Sequence, residues 1–108
     1  MEQHSQIEYR GAKIHYREEG RGNKNTLVLL HGFLQNLDVW SSFVLTYMHD
    51  MHVVTIDLPG HGYSENLGDV NSMEDMADAV NAVIEELDID HCVMVGHSLG
   101  GYVALAYA

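Results

Sequence analysis

The sequence predicts an α/β fold in which a doubly wound, mostly parallel sheet follows an N-terminal antiparallel hairpin. Three observations predict it: period-two alternation near the N-terminus, short continuous apolar runs, and apolar residues at helical spacing between those runs. Buried strands that alternate with amphipathic helices are joined by right-handed crossovers in a parallel sheet. At 108 residues, the chain has room for one domain or part of one.

The hairpin is predicted over residues 7–16, where apolar and polar residues alternate on both sides of a turn at Arg10 and Gly11. A glycine-rich loop over 20–23 follows. The next run, residues 27–30, is entirely apolar, which is typical of a strand buried on both faces.

The first helix is predicted from an apolar stripe at positions 40, 43, 44, 47 and 48, with Asn36 or Asp38 as its cap. The next strand covers residues 52–56 and ends at Asp57. Residues 58–62 contain one proline and two glycines, so an irregular loop is expected there.

The second helix carries apolar residues at helical spacing from 73 to 87, with Ser72 and Asp75 placed as a capping box. A third buried strand is predicted over 92–95, and a helix rich in small and apolar residues from 101 to 108. The predicted order is therefore a hairpin followed by β-α-β-α-β-α.

The net charge of −11, from 16 acidic and 5 basic residues, repels phosphate backbones and anionic membrane surfaces. Neither nucleic acid nor a membrane is expected as a partner. The lone Cys92 cannot form an intrachain disulfide, and residues 1–10 lack an apolar signal segment. We therefore expect a cytoplasmic protein.

Gly96, Ser98 and Gly100 form the pattern Gly-x-Ser-x-Gly at the point where a predicted strand ends and a helix starts. This is the context of a nucleophile elbow, a sharp turn that exposes the serine hydroxyl above a sheet. The glycines allow the strand and the helix to approach closely. Ser98 is therefore the candidate nucleophile.

A second element supports this interpretation, because the pattern alone occurs by chance in a few per cent of chains this long. His31, Gly32 and Phe33 directly follow the first predicted parallel strand. In such a layout the backbone N–H groups of Phe33 and Leu99 are placed to stabilise a developing oxyanion.

Three blocks of the sequence resemble the N-terminal half of the α/β-hydrolase family, in family order. They are Leu29-Leu30-His31-Gly32-Phe33, Asp57-Leu58-Pro59-Gly60-His61-Gly62-Tyr63-Ser64 and Gly96-His97-Ser98-Leu99-Gly100-Gly101. The resemblance implies that Ser98 attacks a substrate carbonyl while Phe33 and Leu99 hold the oxyanion. It also implies that the loop over 57–64 shapes and supports the site.

The remaining polar and aromatic candidates have structural interpretations. His31 is expected to brace the oxyanion loop, and His97 to pack or hydrogen-bond behind the elbow. His61 and Asp57 are expected to fix their own loop, and Trp40 to lie in the core. Phe33, beside the oxyanion site, is in addition a candidate for substrate contact.

The resemblance implies an acid and then a histidine base after the nucleophile, but residues 99–108 contain neither. Residues 1–108 are therefore expected to be a single partial domain, inactive alone. The strand at 92–95 would keep an open edge, which invites self-association or pairing with another chain. A truncated copy of a longer enzyme is expected; a piece completed by a second polypeptide and a deliberate fragment remain alternatives.

The sequence thus predicts a serine hydrolase that cleaves small ester or thioester substrates through an acyl-enzyme, without a metal or organic cofactor. A lyase or carbon–carbon bond hydrolase of the same fold is an alternative. A ligand-binding or interaction protein without turnover is an alternative of another class.

Overall fold

A computed structural model of the chain describes residues 3–32, 36–65, 72–97 and 99–108. Within these residues one mixed sheet of five strands has helices on both faces. The strands are β1 (Gln3–Tyr9), β2 (Ala12–Glu19), β3 (Thr26–Leu30), β4 (His52–Ile56) and β5 (Val93–Gly96). The helices are α1 (Ser41–Tyr47), which follows a 3-10 turn (Leu37–Trp40), α2 (Met73–Glu86) and α3 (Leu99–Tyr107).

The strands are arranged in the order β1-β2-β4-β3-β5. β1 pairs with β2, and β2 with β4, in antiparallel fashion, whereas β3 is parallel to both β4 and β5. The β1–β2 turn uses Arg10 and Gly11, with φ angles of 51° and 79°. Positive φ at both central residues is what a tight hairpin turn requires. The predicted fold class, including the N-terminal hairpin, is confirmed.

Two apolar cores lie on opposite faces of the sheet. Val28 and Leu30 of β3 contribute to the core beneath α2 and α3, whereas Leu27 and Leu29 pack against α1 on the other face. Every residue of β3 and β4 is buried. These strands are covered on both sides, as their continuous apolar runs predicted.

The predicted apolar stripe of the first helix is only partly buried. Trp40 and Val44 lie in the core, whereas Phe43 and Tyr47 are 44% and 39% exposed. Phe43 contacts the rings of Trp40 and Tyr47. Helical spacing thus predicted the apolar stripe but not how much of it is covered.

The strand predicted over 92–95 is β5, one residue further along, and it lies at an edge of the described sheet. Val93 is 58% exposed, so the expected burial on both faces was wrong. β5 pairs only with β3 in this part of the chain. α3 begins at Leu99, two residues before the predicted start. Of the helices in the described ranges, none is both long and apolar enough to span a membrane.

The predicted capping box of α2 is confirmed. The Ser72 side chain accepts a hydrogen bond from the Asp75 backbone N–H at 3.0 Å, and the Asp75 carboxylate accepts one from the Ser72 backbone at 3.3 Å. This backbone bond, together with Arg10, holds the pKa of Asp75 below its usual value. The cap satisfies N–H groups that would otherwise lack a partner at the start of the helix.

The Ser72→Ala substitution is expected to lower the free energy of unfolding by about 1 kcal/mol, because it removes this cap. Urea unfolding followed by circular dichroism measures the change. Ser42→Ala on the exposed side of α1 is the matched control and is expected to change stability by less than about 0.5 kcal/mol. Equal effects of the two substitutions would contradict the role of the cap.

Candidate functional site

The predicted elbow lies between β5, which ends at Gly96, and α3, which begins at Leu99. The His97 N–H donates to the Leu30 carbonyl at 3.0 Å, and the His97 carbonyl accepts from the Gly100 N–H at the same distance. Ser98, the predicted nucleophile, lies outside the described residues. The backbone of His97 is therefore anchored to the end of β3 and to the start of α3.

Two glycines permit the close crossing of α3 over the strand ends. A Cβ atom at Gly96 would overlap the backbone carbonyl of Gly100. A Cβ atom at Gly100 would overlap the Leu30 carbonyl and lie 2.6 Å from the His31 carbonyl oxygen. At Gly101 the nearest atom would be at 3.5 Å, an ordinary contact. Backbone atoms cannot move aside, so positions 96 and 100 need glycine.

His31 is fully buried directly after β3. Its Nε2 accepts the Leu58 backbone N–H at 2.9 Å, so the ring hydrogen lies on Nδ1, which donates to the Gly32 carbonyl at 2.8 Å. Burial lowers the pKa of His31, and His61, whose ring is 5.1 Å away, acts in the same direction. The Gly32 bond and Asp57 oppose that shift. A neutral imidazole therefore bridges two loops.

Of the two predicted oxyanion donors, the structure describes Leu99 but not Phe33. Phe33 lies outside the described residues, although Gly32 before it is buried and bonded to His31. Leu99 is the first residue of α3, and the first N–H groups of a helix have no partner within the helix. The role of Leu99 as an oxyanion donor stays a prediction.

Asp57 directly follows β4 and is 1% exposed. Its Oδ2 accepts the Tyr63 backbone N–H at 3.0 Å and lies 2.7 Å from Nδ1 of His15 in β2. The Ser64 hydroxyl donates to the Asp57 carbonyl at 2.6 Å and accepts the His15 backbone N–H at 2.7 Å. Residues 57–64 are therefore tied to β2.

Sequence reasoning missed His15. The alternation of the hairpin placed it opposite Ile14 and Tyr16, on the face assigned to solvent, but it is buried. The only local signal is a histidine within a strand, and its partner Asp57 lies 42 residues away. Nothing in the nearby sequence could have identified that partner.

His97 hydrogen-bonds to Leu30 and Gly100 through its backbone, and the residue is exposed. Its side chain lines a cavity of about 230 Å³ together with Val39, Trp40 and Phe43. Trp40 is buried as predicted, and its Nε1 has no hydrogen-bond acceptor among the described residues. Those residues contain no cluster of three or more side chains suited to a metal ion.

The sequence and the fold of the chain are similar to those of known proteins. A family model described as alpha/beta hydrolase fold matches residues 25–108. A pimeloyl-[acyl-carrier protein] methyl ester esterase of Pectobacterium carotovorum is 39% identical over 93 residues, which are 86% of this chain and 34% of that protein. A 2-hydroxy-6-oxononadienedioate/2-hydroxy-6-oxononatrienedioate hydrolase of Paraburkholderia phymatum is 35% identical over 101 residues, 89% of this chain and 35% of that protein.

Among solved structures, the Cif epoxide hydrolase from Acinetobacter nosocomialis superposes with a TM-score of 0.90 at 31% identity. The match covers 99% of this chain and 33% of that one. The chain thus spans about a third of the length of these three proteins.

The Gly100→Ala substitution is expected to lower the free energy of unfolding by at least about 2 kcal/mol, because its methyl group would overlap backbone carbonyls. Gly101→Ala, one residue further along α3, is the matched control. It has room for a Cβ and is expected to raise stability by up to about 1 kcal/mol, since alanine favours the helix. Urea unfolding of both variants checks the pair, and a stable Gly100→Ala protein would refute the close crossing.

The stability of the protein is expected to fall as the pH drops below about 6.5, in part because His31 is neutral when folded. In the unfolded chain the His31 imidazole binds a proton near that pH, whereas in the folded protein burial disfavours protonation. The contribution of His31 to the free energy of unfolding is therefore complete above pH 6.5 and is lost as the pH falls to the lower pKa of the folded state. In His31→Gln, the slope of the unfolding free energy against pH should be smaller than in the parent protein by up to about 1.4 kcal/mol per pH unit. Unfolding free energies measured between pH 5 and 8 give this slope. His49→Gln, at an exposed histidine, is the control. Equal slopes in the two variants would contradict the prediction.

Proposed function

Since the chain belongs to the α/β-hydrolase fold family, we propose that it is the N-terminal part of a serine hydrolase acting on carboxylic esters or thioesters. The glycine crossing at positions 96 and 100 carries the proposal, because it provides the close helix–strand approach that a nucleophile elbow needs. The similarity to an esterase at 39% identity supports the ester class.

In this proposal, the Ser98 hydroxyl attacks the substrate carbonyl carbon and gives its proton to a base. The negative charge that develops on the carbonyl oxygen is stabilised by the backbone N–H groups of Phe33 and Leu99. Collapse of the intermediate expels the alcohol or thiol, which takes up the proton, and leaves an acyl group on Ser98. Water then attacks the acyl group, releasing the acid and restoring the hydroxyl.

We propose that the base and its orienting acid are supplied by polypeptide outside residues 1–108. Both ring nitrogens of His31 are already engaged by backbone groups, and its pKa is lowered by burial. The ring of His15 is held by the Asp57 carboxylate. The chain spans about a third of the relatives that it matches, so activity is proposed for the completed protein and not for this segment alone.

The edge of β5 is the proposed point of attachment for that polypeptide, either from the same chain or from another copy. Val93 is more than half exposed at this edge, and an apolar strand with an unpaired side is a template for a further strand. The strong negative charge favours small-molecule substrates over nucleic acid, and the lone cysteine favours the cytoplasm. The proposed mechanism uses no metal or organic cofactor.

A carbon–carbon bond hydrolase is the second candidate. It is favoured by the 35% identity to the 2-hydroxy-6-oxononadienedioate/2-hydroxy-6-oxononatrienedioate hydrolase over 89% of this chain. Both reactions begin at a carbonyl group and can share the elbow and oxyanion donors. They differ in the leaving group, which is an oxygen or sulfur atom in one case and a carbon atom in the other.

The full-length protein is expected to be labelled by a fluorophosphonate probe, and Ser98→Ala should abolish that labelling, because the probe phosphonylates an activated serine. In-gel fluorescence measures labelling. Ser42→Ala, at an exposed serine on α1, is the matched control and should label like the parent protein. Undiminished labelling of Ser98→Ala would exclude Ser98 as the nucleophile.

Two substrates then separate the candidates. Turnover of 4-nitrophenyl butyrate with a burst of nitrophenol supports the esterase. Cleavage of a 2-hydroxy-6-oxo-dienoate by a protein that does not turn over 4-nitrophenyl butyrate supports the carbon–carbon hydrolase. A protein that binds ester analogues but neither labels nor turns over is a binding protein, which would overturn both.

A further inference from the structure

The buried pair of His15 and Asp57 is absent from the mechanism above, yet it lies at the carboxyl end of β4 beside the oxyanion loop. His15 is 8% and Asp57 1% exposed, and their side chains approach to 2.7 Å. The ring of Tyr63 contacts the His15 imidazole edge-on, with a centroid distance of 5.2 Å. The imidazole therefore lies between a buried carboxylate and an aromatic ring.

A continuous series of short contacts joins this pair to Gly32. Asp57 precedes Leu58, whose backbone N–H donates to Nε2 of His31 at 2.9 Å. The opposite ring nitrogen of His31 donates to the Gly32 carbonyl at 2.8 Å. The position of the Leu58 N–H thus sets both the tautomer and the orientation of the His31 ring.

Further bonds hold the Asp57 backbone itself. Its N–H donates to the His15 carbonyl at 2.9 Å, and its carboxylate accepts the Tyr63 N–H. A Cβ at Gly62 would overlap that carboxylate, so the loop is closed tightly around it. The Asp57 side chain thus contacts both β2 and the far end of the loop that begins at Leu58.

We propose that His15 is a positioning residue for the oxyanion site. Its imidazole holds the Asp57 carboxylate, Asp57 holds the start of the loop at Leu58, and Leu58 orients His31 against Gly32. The backbone N–H of the next residue, position 33, is the proposed oxyanion donor. The inference rests on the proposed function, because it assigns His15 a part in placing that donor.

A second buried pair provides a matched control at the opposite end of β4. His52 Nε2 lies 2.7 Å from Glu18 Oε2, and the two residues are 7% and 6% exposed. The pair has the same side-chain chemistry and similar burial, but His52 begins β4, whereas Asp57 follows its last residue. Loss of either histidine removes the imidazole from a buried carboxylate that keeps another partner, Arg21 for Glu18 and the Tyr63 N–H for Asp57. Both substitutions are therefore expected to destabilise the fold.

The experiment compares His15→Phe with His52→Phe in the full-length protein. With 4-nitrophenyl butyrate, kcat is expected to fall about 10- to 100-fold in His15→Phe at nearly unchanged KM, because displaced oxyanion donors weaken transition-state stabilisation. His52→Phe should keep kcat within about twofold. His15→Asn, whose amide N–H can replace Nδ1 as donor, should restore most of the lost rate.

Nitrogen-15 NMR of the His31 ring provides the second readout. The parent protein and His52→Phe should show a single neutral tautomer with its hydrogen on Nδ1, whereas His15→Phe should show an altered or mixed tautomer. If His15→Phe does not fold, the double variant His15→Phe/Asp57→Asn also removes the buried charge and is measured in its place.

A folded variant without the His15 imidazole that keeps both the parent kcat and the parent His31 spectrum would overturn the inference, as would equal losses of kcat in His15→Phe and His52→Phe. If the parent protein shows neither labelling nor turnover, the proposed function fails. The His31 spectrum then decides by itself whether His15 orients that ring.

Discussion

The close crossing of α3 over the ends of β3 and β5 is the constraint on which the rest of the site depends. A Cβ atom at Gly100 would overlap the carbonyl of Leu30, and one at Gly96 would overlap Gly100. Because all these contacts involve backbone, the helix can reach this depth only with glycine at both positions. The crossing brings His97 and the start of α3 next to Leu30 and His31 at the end of β3.

A polar network joins the residues that follow β3 and β4 to the neighbouring strand β2. His31 follows β3, Asp57 follows β4, and His15 lies in β2. Buried polar groups are costly unless they are hydrogen-bonded, so these side chains hold one arrangement of the loops. The neutral imidazole of His31 suits this role because it accepts from one loop and donates to the other.

This framework is compatible with more than one reaction. The matched proteins include an esterase, a hydrolase of a hydroxy-oxo-dienedioate and an epoxide hydrolase, and the chain covers about a third of each. Chemistry and substrate choice depend on groups added to a shared frame, not on the frame itself. The exposed β5 edge and the partly exposed aromatic face of α1 mark where the described part of the fold leaves apolar surface uncovered.

The sequence by itself determined the hairpin turn, the alternation of strands with helices, the capping box of α2 and the glycines at positions 96 and 100 where a strand gives way to a helix. Each depends on residues close together in the chain, so period and turn chemistry suffice to predict it. Only the tertiary structure decided that Phe43 and Tyr47 stay exposed and that His15 pairs with Asp57. These features depend on which distant segments come together, and local periodicity carries no information about a contact 42 residues away.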